Sequence, residues 1–164
     1  PLAVLLAIYP VQAWRDAPVF PTPLTALAGL AGELELPPQP RMLDAGCGLG
    51  HGLQALRHAW PQAQVAGVER SWALALAARW RCPWARVRAG DMWAASWADQ
   101  DVVYVFQRPE SMARAWAKAC AEMAPGSWLV SLEFTVPGAT PRLALMNPGH
   151  RPVLAYRVGP RTAP

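Results

Sequence analysis

The stretch Asp44-Ala45-Gly46-Cys47-Gly48-Leu49-Gly50-His51-Gly52 decides the architecture. A short apolar run, Met42 to Ala45, leads into it and reads as a strand. Gly52 to Trp60 follows with the spacing of a helix. Glycine at alternate positions lets the backbone pass close to a ligand that a Cβ would obstruct. Asp44 stands just ahead of the first glycine, where a carboxylate would repel a pyrophosphate and suit a positive group. The spacing is GxGxGxG and not the GxGxxG of a dinucleotide loop, which disfavours a nicotinamide cofactor. A strand, turn and helix with purely structural glycines is the plain alternative.

Outward from this loop the chain alternates strand and helix. Gln64 to Glu69 is a strand, Ser71 to Arg81 a helix capped by Ser71, and Ala85 to Ala89 a third strand. Asp101 to Phe106 is a fourth strand, and Pro109 to Met123 a helix with proline in its first turn. Ser127 to Val136 reads as a long fifth strand. Arg142 to Met146 and Val153 to Val158 have no helix between them and should form an antiparallel hairpin at the sheet edge. Apolar strands alternating with helices predict an α/β fold, a seven-stranded mostly parallel sheet with helices on both faces. Glu69 closes the second strand, where an acid roughly 20 residues past the first glycine would hold a ribose diol. Gly90-Asp91 closes the third, placed to reach an adenine amino group.

Before the core, Asp16 to Pro23 is a proline-rich connector. Leu24, Leu27, Leu30 and Leu34 then recur at helical spacing, with Thr22 or Thr25 as cap. Residues 1–36 are expected to form an N-terminal arm and helix, and residues 37–164 the ligand-binding core. The apolar run Leu2 to Ile8 is too short to cross a bilayer, which takes about 20 residues. It reads either as the tail of a membrane helix that starts upstream or as a short helix packed on the domain.

The net charge is +4, with a pI near 9.4, and Lys118 is the only lysine. Arg79, Arg81, Arg86 and Arg88, interleaved with Trp80 and Trp84, read either as a solvated edge or as an RNA-contacting patch. Cys47, Cys82 and Cys120 are too dispersed for a zinc site or a disulfide framework. His51 and His58 have no third ligand, so no metal is expected.

The Asp44–Gly50 string resembles motif I of class I methyltransferases that use S-adenosylmethionine, which have a Rossmann-like sheet. Further strings resemble one family within that class. They are Phe20-Pro-Thr-Pro23, Gly67-Val-Glu-Arg-Ser-Trp72, Gly90-Asp-Met-Trp93, Val102 to Phe106 followed by Pro109-Glu-Ser-Met112, and Leu129 to Phe134 with Val136-Pro137. They are similar to the small protein-lysine methyltransferases of the ATP synthase c-subunit and adenine nucleotide carrier, and to their bacterial relatives. Gln107-Arg108 departs from the apolar link expected there.

The resemblance implies a cofactor site of Thr22, Asp44, Ala45, Gly46, Cys47, Gly48, Gly50, Glu69, Arg70, Gly90, Asp91, Met92 and Phe106. S-adenosyl-L-homocysteine would be the product. Thr22 would reach the cofactor carboxylate. Tyr104, Phe106, Trp93 and Phe134 would build an apolar acceptor pocket, and Glu110 would orient the amine or take its proton through water; a favourable charge in a first helical turn is the plain role for Glu110. The implied partner is a protein with a target lysine, including a membrane-embedded one. The implied setting is the cytoplasm, with an upstream segment as a tether to the inner membrane. Methylation of RNA or of a small molecule, and a non-catalytic cofactor-binding module, are the alternatives.

Overall fold

The computed structural model describes residues 21–146 and 151–160. The apolar run Leu2 to Ile8 and the connector through Phe20 lie outside the described residues. The strands are β1 (Arg41–Ala45), β2 (Gln64–Glu69), β3 (Arg86–Ala89), β4 (Val102–Val105), β5 (Trp128–Leu132), β6 (Leu143–Leu145) and β7 (Val153–Arg157). The helices are α1 (His51–Ala59), α2 (Trp72–Arg81) and α3 (Pro109–Glu122). The seven strands form one sheet in the order β3-β2-β1-β4-β5-β7-β6. The first five pair parallel, and β7 pairs antiparallel with both β5 and β6. The expected mostly parallel sheet with an antiparallel edge hairpin is therefore observed.

Alternation along the strands gives the sheet two cores. Met42, Val65, Val102, Tyr104 and Val130 face one side, with α1, α2 and the N-terminal leucines. Leu43, Ala45, Val68, Val103 and Val105 face the other, against α3. Strands apolar on both faces need both faces covered, and two-sided burial is what the continuous apolar runs encode. The strand order reverses between β1 and β4. Ligands of such sheets bind outside the carboxyl ends of the strands at this reversal.

Two expectations are corrected. The helix over Leu24 to Leu34 is instead a series of tight turns with a 3-10 segment at Ala28–Leu30. Gly32 adopts φ +92, outside any helix, and a Cβ on Gly29 would lie 2.8 Å from Leu145 Cδ1. Leu27, Leu30 and Leu34 still bury their side chains, but Leu24 is exposed, and Thr22 and Thr25 cap nothing. The fifth strand stops at Leu132 because Glu133 takes φ +75, and Glu133 is the non-glycine residue among those described with positive φ.

Candidate cofactor and acceptor site

Register places Gly67, Asp44, Tyr104 and Val130 side by side across β2, β1, β4 and β5. Gly67 has no side chain, and the space is filled by Cys47 and Leu53, whose atoms lie 2.8 Å and 3.1 Å from where a Cβ would be. Asp44 is buried beneath Gly52 in the first turn of α1, beside the Tyr104 ring. Its Oδ2 has no hydrogen-bond partner among the described residues. Burial, reinforced by the Glu69 charge, pushes the Asp44 carboxyl up to about 8. An orphaned buried carboxyl of this kind is suited to a positive charge nearby.

The loop after β1 owes its shape to three glycines. Gly46, Gly48 and Gly50 take φ of +92, +50 and +88. Residues with a Cβ adopt such values only under strain, so the alternate glycines are a backbone requirement. The loop is tied down by bonds from the Gly46 and Cys47 N–H groups to Val68 O, and by the Gly50 N–H to Cys47 O. Nothing lies within 4 Å of a Cβ built at Gly48, so the loop is open there.

Glu69 faces this opening from the end of β2. Its Oε2 accepts from the Gly48 N–H at 2.9 Å and its Oε1 from the Ser71 N–H at 2.8 Å. Two backbone donors fix the carboxylate in direction, and each oxygen keeps a lone pair for a further donor such as a hydroxyl. Ser71 in turn caps α2 by accepting from Leu74 N–H. After β3, Asp91 Oδ1 accepts from the Trp93 N–H and stays exposed, while Met92 is buried with its sulfur 3.8 Å from the Cβ position of Gly46. Arg70 is exposed, and Ala45 ends β1 facing the α3 core.

Cys47 is buried, and desolvation together with the Asp44 and Glu69 charges pushes its thiol up, so it serves as packing and not as a nucleophile. Tyr104 is buried with its hydroxyl 2.8 Å from Thr22 Oγ1. Burial holds its phenol neutral. Thr22, Asp44 and Tyr104 therefore meet on one face of the sheet.

Gln107 is one residue that the sequence did not mark for this site; Arg151 is another. Gln107 is buried, donates from Nε2 to Ala45 O at 3.3 Å, and lies 2.6 Å from the Cβ position of Gly46. A long amide directly after β4, where an apolar link was expected, was the available signal.

Beyond the reversal, the carboxyl ends of β4 and β5 bring together a second group. Phe106 and Phe134 stack with centroids 6.4 Å apart. The Arg151 guanidinium lies over Phe106 at 5.1 Å and its Nε is 3.0 Å from Glu133 Oε2. Trp93 does not join them: its ring packs with Trp97 at 6.5 Å and beneath the Arg114 guanidinium at 4.1 Å. Glu110 sits exposed in the first turn of α3, so Glu133 is the carboxylate linked to the aromatic pair.

The geometry suits S-adenosylmethionine. An open glycine loop, a fixed carboxylate suited to a diol, and a second, buried carboxylate suited to positive charge are all present, and the buried acid beneath the loop is wrong for a pyrophosphate. The fold and this loop define a class I methyltransferase with S-adenosylmethionine as its cofactor. Residues 44–143 match the ANTKMT methyltransferase domain, and the chain belongs to that family.

Two curated relatives are trans-aconitate 2-methyltransferases. That of Variovorax paradoxus is 39% identical over 44% of this chain and 27% of its own length, and that of Mycobacterium sp. strain KMS is 37% identical over 60% and 38%. The chain thus spans well under half of the length of either. An RNA methyltransferase from Salinibacter ruber shares the fold, with a TM-score of 0.75 and 21% identity over 88% of this chain and 97% of its own. CalS10, an amino pentose methyltransferase from Micromonospora echinaspora, aligns with a TM-score of 0.53 and 30% identity over 67% and 50%.

Proposed function

We propose that the chain transfers a methyl group from S-adenosylmethionine to a protein lysine amine. The observation that carries this reading is the guanidinium held over Phe106 and against Glu133, because an aromatic face beside a carboxylate is a seat for a cationic side chain. When bound, the cofactor supplies a methyl group already activated by its sulfonium. Glu69 and the glycine loop orient it, and Asp44 balances its positive charge. Thr22 and Tyr104 close the site on the α1 face. Phe106, Phe134 and Glu133 seat and orient the incoming ammonium, which must lose a proton before transfer, since only the free amine is a nucleophile. Glu133 takes that proton through water, with Glu110, exposed in the first turn of α3, as the further candidate base.

A second reading, methylation of a small carboxylate, is favoured by the Arg151 guanidinium at the same place and by the names of the curated relatives. Radiolabelled methyl transfer separates the two. Label in protein of a bacterial membrane extract, released on hydrolysis as methyl-lysine, supports the lysine reading. Label confined to base-labile methyl esters of small acids overturns it.

A further inference from the structure

We infer that the outward face of α2 docks on the headgroup layer of an anionic lipid bilayer. This goes beyond the acceptor reading and does not depend on it. Trp72, Leu76 and Trp80 recur every fourth residue along α2 and are 73%, 53% and 90% exposed. The positions turned towards the sheet hold the small residues Ala75 and Ala78. The helix therefore carries its large apolar side chains away from the core, the reverse of an ordinary amphipathic helix. Ala73 and Ala77 share this outward face with Leu49 of the glycine loop, and Arg81 completes the groove they line. Trp84 extends the patch past the helix end, with the Arg57 guanidinium over its ring at 5.3 Å.

Charge selects the occupant. Arg57, Arg79, Arg81, Arg86 and Arg88 are exposed on α1, α2 and the edge strand β3. Between residues 51 and 90 the only carboxylate is Glu69, which is buried and bonded to Gly48 and Ser71. Indole rings favour the headgroup level, aliphatic side chains penetrate just beneath it, and flanking arginines draw anionic lipid. A second copy of this face would set arginine against arginine across a two-fold axis. A nucleic acid would find the ground between the indoles occupied by Leu49, Ala73, Leu76 and Ala77, which offer neither a stacking plane nor a donor. Because α2 starts at the carboxyl edge of the sheet, docking there holds the cofactor loop near the bilayer surface.

Flotation of the full chain with vesicles tests this. Phosphatidylcholine vesicles containing phosphatidylglycerol should bind the chain ~10-fold or more tightly than phosphatidylcholine alone, and added salt should weaken the binding. The triple variant W72S/L76S/W80S should lose ~10-fold or more of that binding while its melting temperature and S-adenosylmethionine affinity stay near those of the parent. The variant L5S/L6S separates the contribution of the apolar run Leu2 to Ile8. Equal vesicle binding by the parent and the triple variant would overturn the inference. So would equal binding to neutral and anionic vesicles, or a dimer or RNA complex that the triple variant abolishes in place of vesicle binding.

Discussion

The two halves of the carboxyl edge are built by different means. Over β1, β2 and β3 the site is made of backbone: three glycines with positive φ, N–H groups that fix Glu69, and one buried carboxyl beneath a helix start. Over β4 and β5 it is made of side chains that converge from separate segments, Phe106, Glu133, Phe134 and Arg151. A backbone site can tolerate few substitutions and serves one cofactor throughout a class. A side-chain site can be rebuilt residue by residue to take a different acceptor on the same fold. The family match establishes the cofactor; the residues assigned to hold it, like those assigned to the acceptor, are our proposal.

The comparison can be broken most sharply at Gly46. Gly46→Val would force a β-branched residue to φ +92 and drive its Cβ into the Gln107 amide. Calorimetric titration should show S-adenosylmethionine affinity falling ~100-fold, as expected for strain of about 1–3 kcal/mol plus the clash. Next in size is Glu69→Ala, which frees the Gly48 and Ser71 N–H groups and removes the carboxylate proposed to accept from the diol. We expect a ~10–100-fold loss of cofactor affinity, and Glu69→Gln should recover part of it, because the amide oxygen still accepts one bond.

Asp44 supplies the pH signature. Its carboxyl is pushed up to about 8 in the free chain, so it is mostly protonated at neutral pH. A bound cation favours the ionised form, so cofactor affinity should rise with pH up to about 8, with a proton released on binding. The sign for stability is opposite. The native state binds this proton more tightly than the unfolded chain, so Asp44 leaves the free protein most stable at low pH. That contribution is lost as pH rises from the ordinary carboxylate range through about 8. Asp44→Asn should flatten both profiles, as read by titration calorimetry and by thermal melts in several buffers.

Phe106→Ala sharpens the contrast from the other side. It should leave cofactor affinity within ~3-fold and lower methyl transfer ~10-fold or more, because the aromatic contribution acts on the acceptor. The smallest effect belongs to Glu110→Gln, exposed in a first helical turn, where a change of about 0.3–1 kcal/mol in stability is expected and transfer should fall less than with Glu133→Gln.

The contrast also explains what the sequence disclosed. β2 was legible to the residue and β1 to within one, since apolar alternation and the glycines are local signals. Thr22, Asp44 and Tyr104 were marked singly, but their meeting depends on register across strands distant in sequence. The turns over residues 24–34 were hidden because leucine spacing reports the buried face and not the backbone, which Gly32 turns out of any helix at φ +92. The break at Glu133 could not be read, because nothing in a Ser-Leu-Glu-Phe string announces a positive φ. Trp93 looked like a pocket aromatic, but Arg114 on α3 captured its ring. Gln107 read as a departure from the expected apolar link and proved to be the side chain resting over Gly46.

The central claim is that the glycine loop with Glu69 holds S-adenosylmethionine while the Phe106 end serves only the acceptor. Calorimetric titration of the parent chain, Glu69→Ala and Phe106→Ala with S-adenosylmethionine, and in parallel with NAD, tests it most directly. The account predicts micromolar S-adenosylmethionine binding to the parent and to Phe106→Ala, a large loss in Glu69→Ala, and no NAD binding. NAD binding in place of S-adenosylmethionine, or an affinity that Phe106→Ala destroys and Glu69→Ala spares, would contradict it.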